Sequence, residues 1–121
     1  MKTADLTVAA KLFRGLGDVS RLKVLAALRE GPLTVGTIVA RTRLSQSNTS
    51  MHLHCLADCG LVVKERRGRF VEYEIADKRV VRLVDEAELL LDLGPRVAAC
   101  PRYREPARGR GRRPTQGRER R

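Results

Sequence analysis

The sequence predicts a mainly α-helical domain with one small β-hairpin, and three observations carry that prediction. Apolar residues recur at helical spacing in successive segments, breaker pairs such as Gly31-Pro32 separate those segments, and after Gly60 the period changes from helical to alternating. At 121 residues, one compact domain with a modest core is the expectation.

The first helix is read from "ADLTVAAKLFR" at residues 4–14, where Leu6, Ala9, Ala10 and Phe13 share a face and Gly15 with Gly17 end the pattern. Asp18 is a candidate N-cap for a second helix, "VSRLKVLAALRE", with apolar Val19, Leu22, Leu25, Ala26 and Leu28. Thr34 opens a short third helix with Val35, Ile38 and Val39 on one side. A brief turn at Arg43 and Leu44 leads to "SQSNTSMHLHCLADCG", in which Ser45 is a good N-cap and Gly60 a good residue to follow the helix. So short a connection makes the third and fourth helices a helix-turn-helix candidate. In "LVVKERRGRFVEYEIA" the apolar positions Leu61, Val63, Phe70, Val71, Tyr73 and Ile75 flank "ERRGR", the pattern of a basic hairpin. A fifth helix starts at Asp77, with Val80, Val84, Ala87 and Leu91 in a stripe and Leu83 and Leu90 beside it, and closes at Gly94-Pro95. This order of elements is that of a winged helix-turn-helix, residues 1–100 forming the domain. Residues 101–121, rich in Pro, Gly and Arg with almost nothing apolar, are expected to form a disordered Arg-rich tail.

Charge points to the partner. The formal net charge is +11; residues 101–121 hold nine arginines against Glu105 and Glu119, and a surplus of +4 remains in residues 1–100. Such a balance favours an anionic partner, and with no Trp and only Phe13, Phe70, Tyr73 and Tyr103 as aromatics, duplex DNA fits better than a base-stacking, single-strand surface. No apolar run is long enough to span a membrane and the N-terminus lacks a signal-like apolar core, so a cytoplasmic location is expected. No Gly-rich phosphate loop, no nucleophile with an orienting base and no paired acids outside an amphipathic helix are present, which argues against an enzyme. Three cysteines are an odd number for a disulfide framework; free thiols or metal ligands are the alternatives.

The segments "LGDVSRLKVLAAL" and "LSQSNTSMHLHCLADCGLVVKERRGRFVEYEIAD" resemble the ArsR/SmtB family of metal-responsive repressors, the likeness running over roughly residues 8–92. Within it, the chain is most similar to a cadmium and lead sensing type, which carries a Cys-x3-Cys pair in the recognition helix and a further cysteine in the C-terminal tail. Cys55, Cys59 and Cys100 match those places. The resemblance implies a homodimer built through the first and last helices, binding operator DNA in the apo state and released by Cd(II) or Pb(II), or another soft thiophilic ion, with Cys100 supplied by the other protomer. It also places Met51 where many relatives carry a basic residue.

The residues support parts of this independently. Recognition helices reach base edges with their N-terminal residues, here Ser45, Gln46, Ser47, Asn48 and Ser50; Gln46 and Asn48 can each contact adenine in two places, while the serines suit phosphates. Ser45 also serves as a plain helix cap. Arg66, Arg67 and Arg69 at the hairpin tip suit phosphate or minor-groove contact, or form a solvated basic turn. Cys55 and Cys59, four apart on a helix, can aim two sulfurs at one ion, although such a pair also serves as ordinary packing. Cys100 lies in a segment with little core to join, and three thiolates select soft ions. His52 is a further candidate ligand, structural residue or DNA contact, and His54 is expected at the surface. The acids Asp85, Glu86, Glu88 and Asp92 occupy the helix where zinc-sensing relatives bind metal, but no histidine accompanies them. Two rivals remain open: a winged-helix repressor whose cysteines sense oxidants, and a DNA-binding protein that responds to no metal.

Overall fold

The structure, a computed structural model, describes residues 2–91 and 95–103. Helix α1 (Thr3–Leu16) gives way at Gly17 and Asp18 to α2 (Val19–Ala27), and the Asp18 carboxylate accepts the Arg21 backbone N–H at 3.0 Å as its cap. The predicted second helix is shorter than its sequence pattern, because Leu28–Glu30 tighten into a 3-10 turn ahead of Gly31-Pro32. Strand β1 (Leu33–Thr34) then pairs with Tyr73 and Glu72, an element too short to show any period in the sequence. Thr34 caps α3 (Val35–Thr42), accepting from the Thr37 N–H at 3.3 Å.

Arg43 ends α3 in the left-handed region, φ 64°, a conformation that costs a non-glycine residue about 1 kcal/mol and gives the turn into α4 (Gln46–Asp58) its sharpness. The far end of α4 closes with Gly60 at φ 77°. There the Leu61 N–H returns to the Leu56 carbonyl at 2.9 Å and the Gly60 N–H to Ala57 at 3.0 Å, a Schellman ending. The chain passes directly into β2 (Val62–Arg67) and β3 (Phe70–Ile75), antiparallel neighbours in a three-stranded sheet of order β1-β3-β2. Gly68, φ 63°, makes the two-residue turn. The hairpin register differs from the expected alternation. Val62 is the buried residue, while Val63 is 44% exposed and Phe70 62% exposed. Leu61, which follows the helix ending, and Val62 both pack at the core, and from Val63 to Arg67 the strand is exposed.

Helix α5 (Lys78–Leu90) begins after Asp77, whose carboxylate accepts the Arg79 N–H at 2.8 Å and holds the Arg79 guanidinium at 2.6 Å. These hydrogen bonds keep the Asp77 carboxyl down at about 2. Val80, Leu83 and Val84 pack on a core of Leu16, Val24, Leu25, Leu28, Ile38, Leu53, Leu56 and Val62. The backbone divides into two compact units, the first ending at Asp85 and the second starting at Glu86. In the second, the end of α5 leaves Leu89, Leu90 and Leu91 exposed, and a short α6 (Pro95–Ala99) with exposed Val97 runs through Cys100 into a 3-10 turn at Pro101–Tyr103. That turn stands where the expected disordered tail begins; residues 104–121, the rest of the tail, lie outside the described residues, as does Asp92.

Candidate nucleic-acid interface and metal centre

Helix α4 has two sides of different chemistry. Thr49, His52, Leu53 and Leu56 are buried at helical intervals and seat it on the core, with the Thr49 hydroxyl donating to the Ser45 carbonyl at 2.8 Å. Its other side is open to solvent. Ser45 is the N-cap, its Oγ accepting the Asn48 N–H at 3.1 Å, so one hydroxyl lone pair is already engaged while Gln46, Ser47, Asn48 and Ser50 stand exposed. Met51 continues that surface at 52% exposure, then His54, Cys55 and, at the C-cap, Cys59. The side chains expected to read DNA and the two expected thiol ligands therefore share the exposed side of a single rigid element.

The hairpin is electrostatically two-faced. Residues directly opposite across β2 and β3 share a face, which puts Glu65, Arg67, Phe70, Glu72 and Glu74 on one and Lys64, Arg66, Val71 and Tyr73 on the other. Arg67 bridges its own face, reaching Glu72 at 3.0 Å, Glu65 at 3.1 Å and Glu74 at 3.8 Å. Its charge is thus committed within the hairpin, and one cation among three carboxylates leaves that face acidic. Arg66 and Arg69 have no ion pair among the described residues. Two exposed cations escaped the sequence reading: Lys64, on the basic hairpin face, and Arg43, whose left-handed turn sets it just ahead of Ser45. Only the cross-strand register distinguishes Arg66 from Arg67, and a lone strand pattern does not carry register.

Cys55 and Cys59 are exposed, reduced and one helical turn apart, the Cys59 N–H donating to the Cys55 carbonyl at 3.1 Å. Both line a cleft of about 320 Å3 with Arg14, Gly15, Arg21, Leu56 and Leu61. Two soft donors on one turn, facing one cleft, fit a thiophilic ion as part of its ligand set. Among the described residues no group of three or more Cys, His, Asp or Glu gathers around one point, so the pair needs a further donor. Cys100 is partly buried in the second unit, its N–H donating to the Val97 carbonyl at 3.2 Å. His52 faces the core instead of the cleft, only 7% exposed, and its Nδ1 has no hydrogen-bond partner among the described residues. His54 is at the surface, 3.8 Å from Asp58. On α5, Asp85 pairs with Arg29 at 3.1 Å.

Comparison with known proteins agrees with the fold. Residues 18–64 match the family model described as bacterial regulatory protein, arsR family. The regulator CmtR of Mycobacterium tuberculosis is 43% identical over 77 residues, 64% of this chain and 65% of that protein. A Streptomyces lividans protein described as "Probable mercury resistance operon repressor" is 41% identical over 81 residues, 67% of this chain and 65% of that one. The chain thus spans just under two thirds of the length of these relatives. Among solved structures, the homodimeric winged helix-turn-helix DNA-binding domain of a possible ArsR-family regulator from Mycobacterium bovis superposes with a TM-score of 0.68 at 31% identity, covering 75% of this chain and 84% of that one. No helix among the described residues is long and apolar enough to cross a membrane. A helix-turn-helix with a hairpin wing, matched in sequence over its centre and in structure over most of its length, places this chain in the ArsR (ArsR/SmtB) family of bacterial transcriptional regulators.

Proposed function

We propose that this chain is a cytoplasmic, metal-responsive transcriptional repressor that binds operator DNA as a homodimer and leaves it on taking up a soft ion, Cd(II) or Pb(II), through Cys55, Cys59 and Cys100. The observation that carries the proposal is the exposed side of α4, where Gln46, Ser47, Asn48 and Ser50 lead into Cys55 and Cys59 with no break in the helix. Strain imposed at the thiol end has a continuous backbone path to the DNA-reading end. In the dimer, exposed Leu6, Val8 and Phe13 of α1 supply apolar surface that one protomer leaves uncovered. The resemblance and the likeness to the probable mercury resistance operon repressor of Streptomyces lividans support the metal class, and the sulfur-only donor set supports soft ions.

When bound, the ion fixes the thiolates to a common point. Cys55 and Cys59 would hold it from α4, Cys100 would complete the set, and the DNA contacts would fall to Ser45, Gln46, Ser47, Asn48, Ser50, Arg66 and Arg69. Arg67 contributes by holding the wing in shape. The Arg-rich residues 101–121 add affinity that is independent of sequence and sensitive to salt. An oxidant-sensing disulfide between Cys55 and Cys59 fits less well: Cβ atoms one turn apart on a helix are separated by about 5–6 Å, beyond disulfide reach, so the hydrogen bond between these residues would have to break.

The test is a Cd(II) titration of reduced protein followed by thiolate-to-metal ultraviolet absorbance and, in parallel, by operator fluorescence anisotropy. One ion per chain, lost in Cys55→Ser, Cys59→Ser and Cys100→Ser together with metal-induced DNA release, is the expected result. The coupling should reach at least about 1–3 kcal/mol. Equal operator affinity with and without metal would refute the proposal.

A further inference from the structure

The cleft that holds both thiols also holds two cations. Arg14 stands in the last turn of α1 and Arg21 in α2, and both line the cleft with Cys55 and Cys59. Arg21 is fixed there, its Nε donating to the Gly15 carbonyl at 2.6 Å. Among the described residues neither guanidinium has a carboxylate partner, although carboxylates pair with Arg29, Arg67 and Arg79 elsewhere. Two guanidinium charges with no ion pair among the described residues, lining one cleft with two thiols, give that cleft a positive charge.

That arrangement matters because metal–thiolate complexes differ in net charge. Two thiolates cancel a divalent ion, so the complex is neutral. Two thiolates on a monovalent ion, or three on a divalent one, leave one negative charge. We propose that Arg14 and Arg21 are the charge-balancing residues of the cleft, selecting thiolate complexes that carry a net negative charge over neutral ones. The inference rests on the reading of Cys55 and Cys59 as ligands and adds to it a basis for discrimination that lies outside the donor atoms.

The experiment uses the full-length Cys100→Ser chain, in which only the Cys55 and Cys59 thiolates remain, and compares Ag(I) with Hg(II). The silver complex is then an anion and the mercury complex is neutral. Arg14 is the residue to change, because Arg21 also anchors Gly15; Arg14→Met removes the charge and Arg14→Lys keeps it. Equilibrium dialysis against a common soluble thiol, with metal counted per chain, gives relative affinities, and circular dichroism checks that each variant is folded. At low salt Arg14→Met should weaken silver retention about three- to tenfold, the effect of one charge across a partly solvated cleft, and change mercury retention less than about twofold. Arg14→Lys should restore silver retention, and added salt should shrink the difference. Equal losses for the two ions, or no loss of silver, would overturn charge selection while leaving the thiol site standing. Failure of the Cys100→Ser chain to retain either ion above a Cys55→Ser, Cys59→Ser, Cys100→Ser control would overturn charge selection at the Cys55 and Cys59 pair, while the three-thiolate reading stands or falls on the Cd(II) titration of the unchanged chain.

Discussion

Replacing Arg67 with alanine separates a positioning role from a DNA contact. Arg67 is half exposed and reaches Glu72 at 3.0 Å, Glu65 at 3.1 Å and Glu74 at 3.8 Å. Two close, partly solvated pairs are worth about 0.3–0.5 kcal/mol each, and the longest adds little. Glu65 and Glu72 are directly opposite across the strands, so removing the cation also uncovers a like-charge pair of similar cost. The sum is about 1–1.5 kcal/mol, or a fall in Tm of about 5–10 °C for a domain of this size. Thermal unfolding followed by circular dichroism, at fixed protein concentration and at low and high salt, measures it, and the loss should shrink as salt screens the carboxylates. Operator binding supplies the second readout. Arg66→Ala and Arg69→Ala should each reduce the slope of log K against log salt by about 0.9, and Arg67→Ala by much less. If Arg67→Ala leaves Tm unchanged and lowers the salt slope as the other two do, the assignment of Arg67 to the interior of the wing is wrong.

Three further outcomes are expected. Leu53→Ala, at a fully buried position of α4, should cost about 2–5 kcal/mol in urea unfolding, and a loss below about 1 kcal/mol would mean that the helix is not seated as described. His52→Leu should stabilise the chain by up to about 1–2 kcal/mol, since the buried Nδ1 has no partner among the described residues and leucine keeps the apolar contacts; a lower Tm would show that the imidazole is satisfied by a group beyond those residues. The carboxyl of Asp77 is depressed in the folded state, so the stability it contributes is present above its ordinary value of 3.8 and is lost as pH falls through about 2. Unfolding followed between pH 5 and pH 2 should therefore be less acid-dependent in Asp77→Asn, and an identical pH profile for the two proteins would contradict the cap.

The helices of the first unit were legible because caps and breakers sit where physics wants them: Asp18, Thr34 and Ser45 each accept an N–H three residues on, and Gly60 takes the positive φ that ends α4. The hairpin was legible as an element but not in register. Leu61 and Val63 read as apolar positions of its alternation, but Leu61 and Val62 pack at the core and Val63 is exposed, a tertiary constraint invisible to a local period. For the same reason the three wing arginines looked equivalent until cross-strand pairing separated Arg67 from Arg66. Strand β1 is too short to have a pattern at all. Of the candidate site, the sequence showed the spacing of Cys55 and Cys59, but the cations lining their cleft come from α1 and α2, far from them in the chain. His52 lay close to the face of Cys55 on spacing alone, and burial assigned it to the opposite task.

The closure of α4 bears on how dilute a metal the chain could register. Helix ends usually fray, and a ligand bound to a fraying turn must first order it, which weakens its apparent affinity by the fraction of time the turn is formed. Here the two hydrogen bonds that return from Gly60 and Leu61, with Leu56 and Leu61 packed at the core, hold the turn between Cys55 and Cys59 closed beforehand. If Cys55 and Cys59 act as proposed, the first two donors are therefore preorganised, and the concentration at which a signal begins would depend chiefly on the cost of bringing in the third. Lengthening, shortening or stiffening the segment that carries Cys100 would move that detection threshold while leaving the α4 pair as it stands.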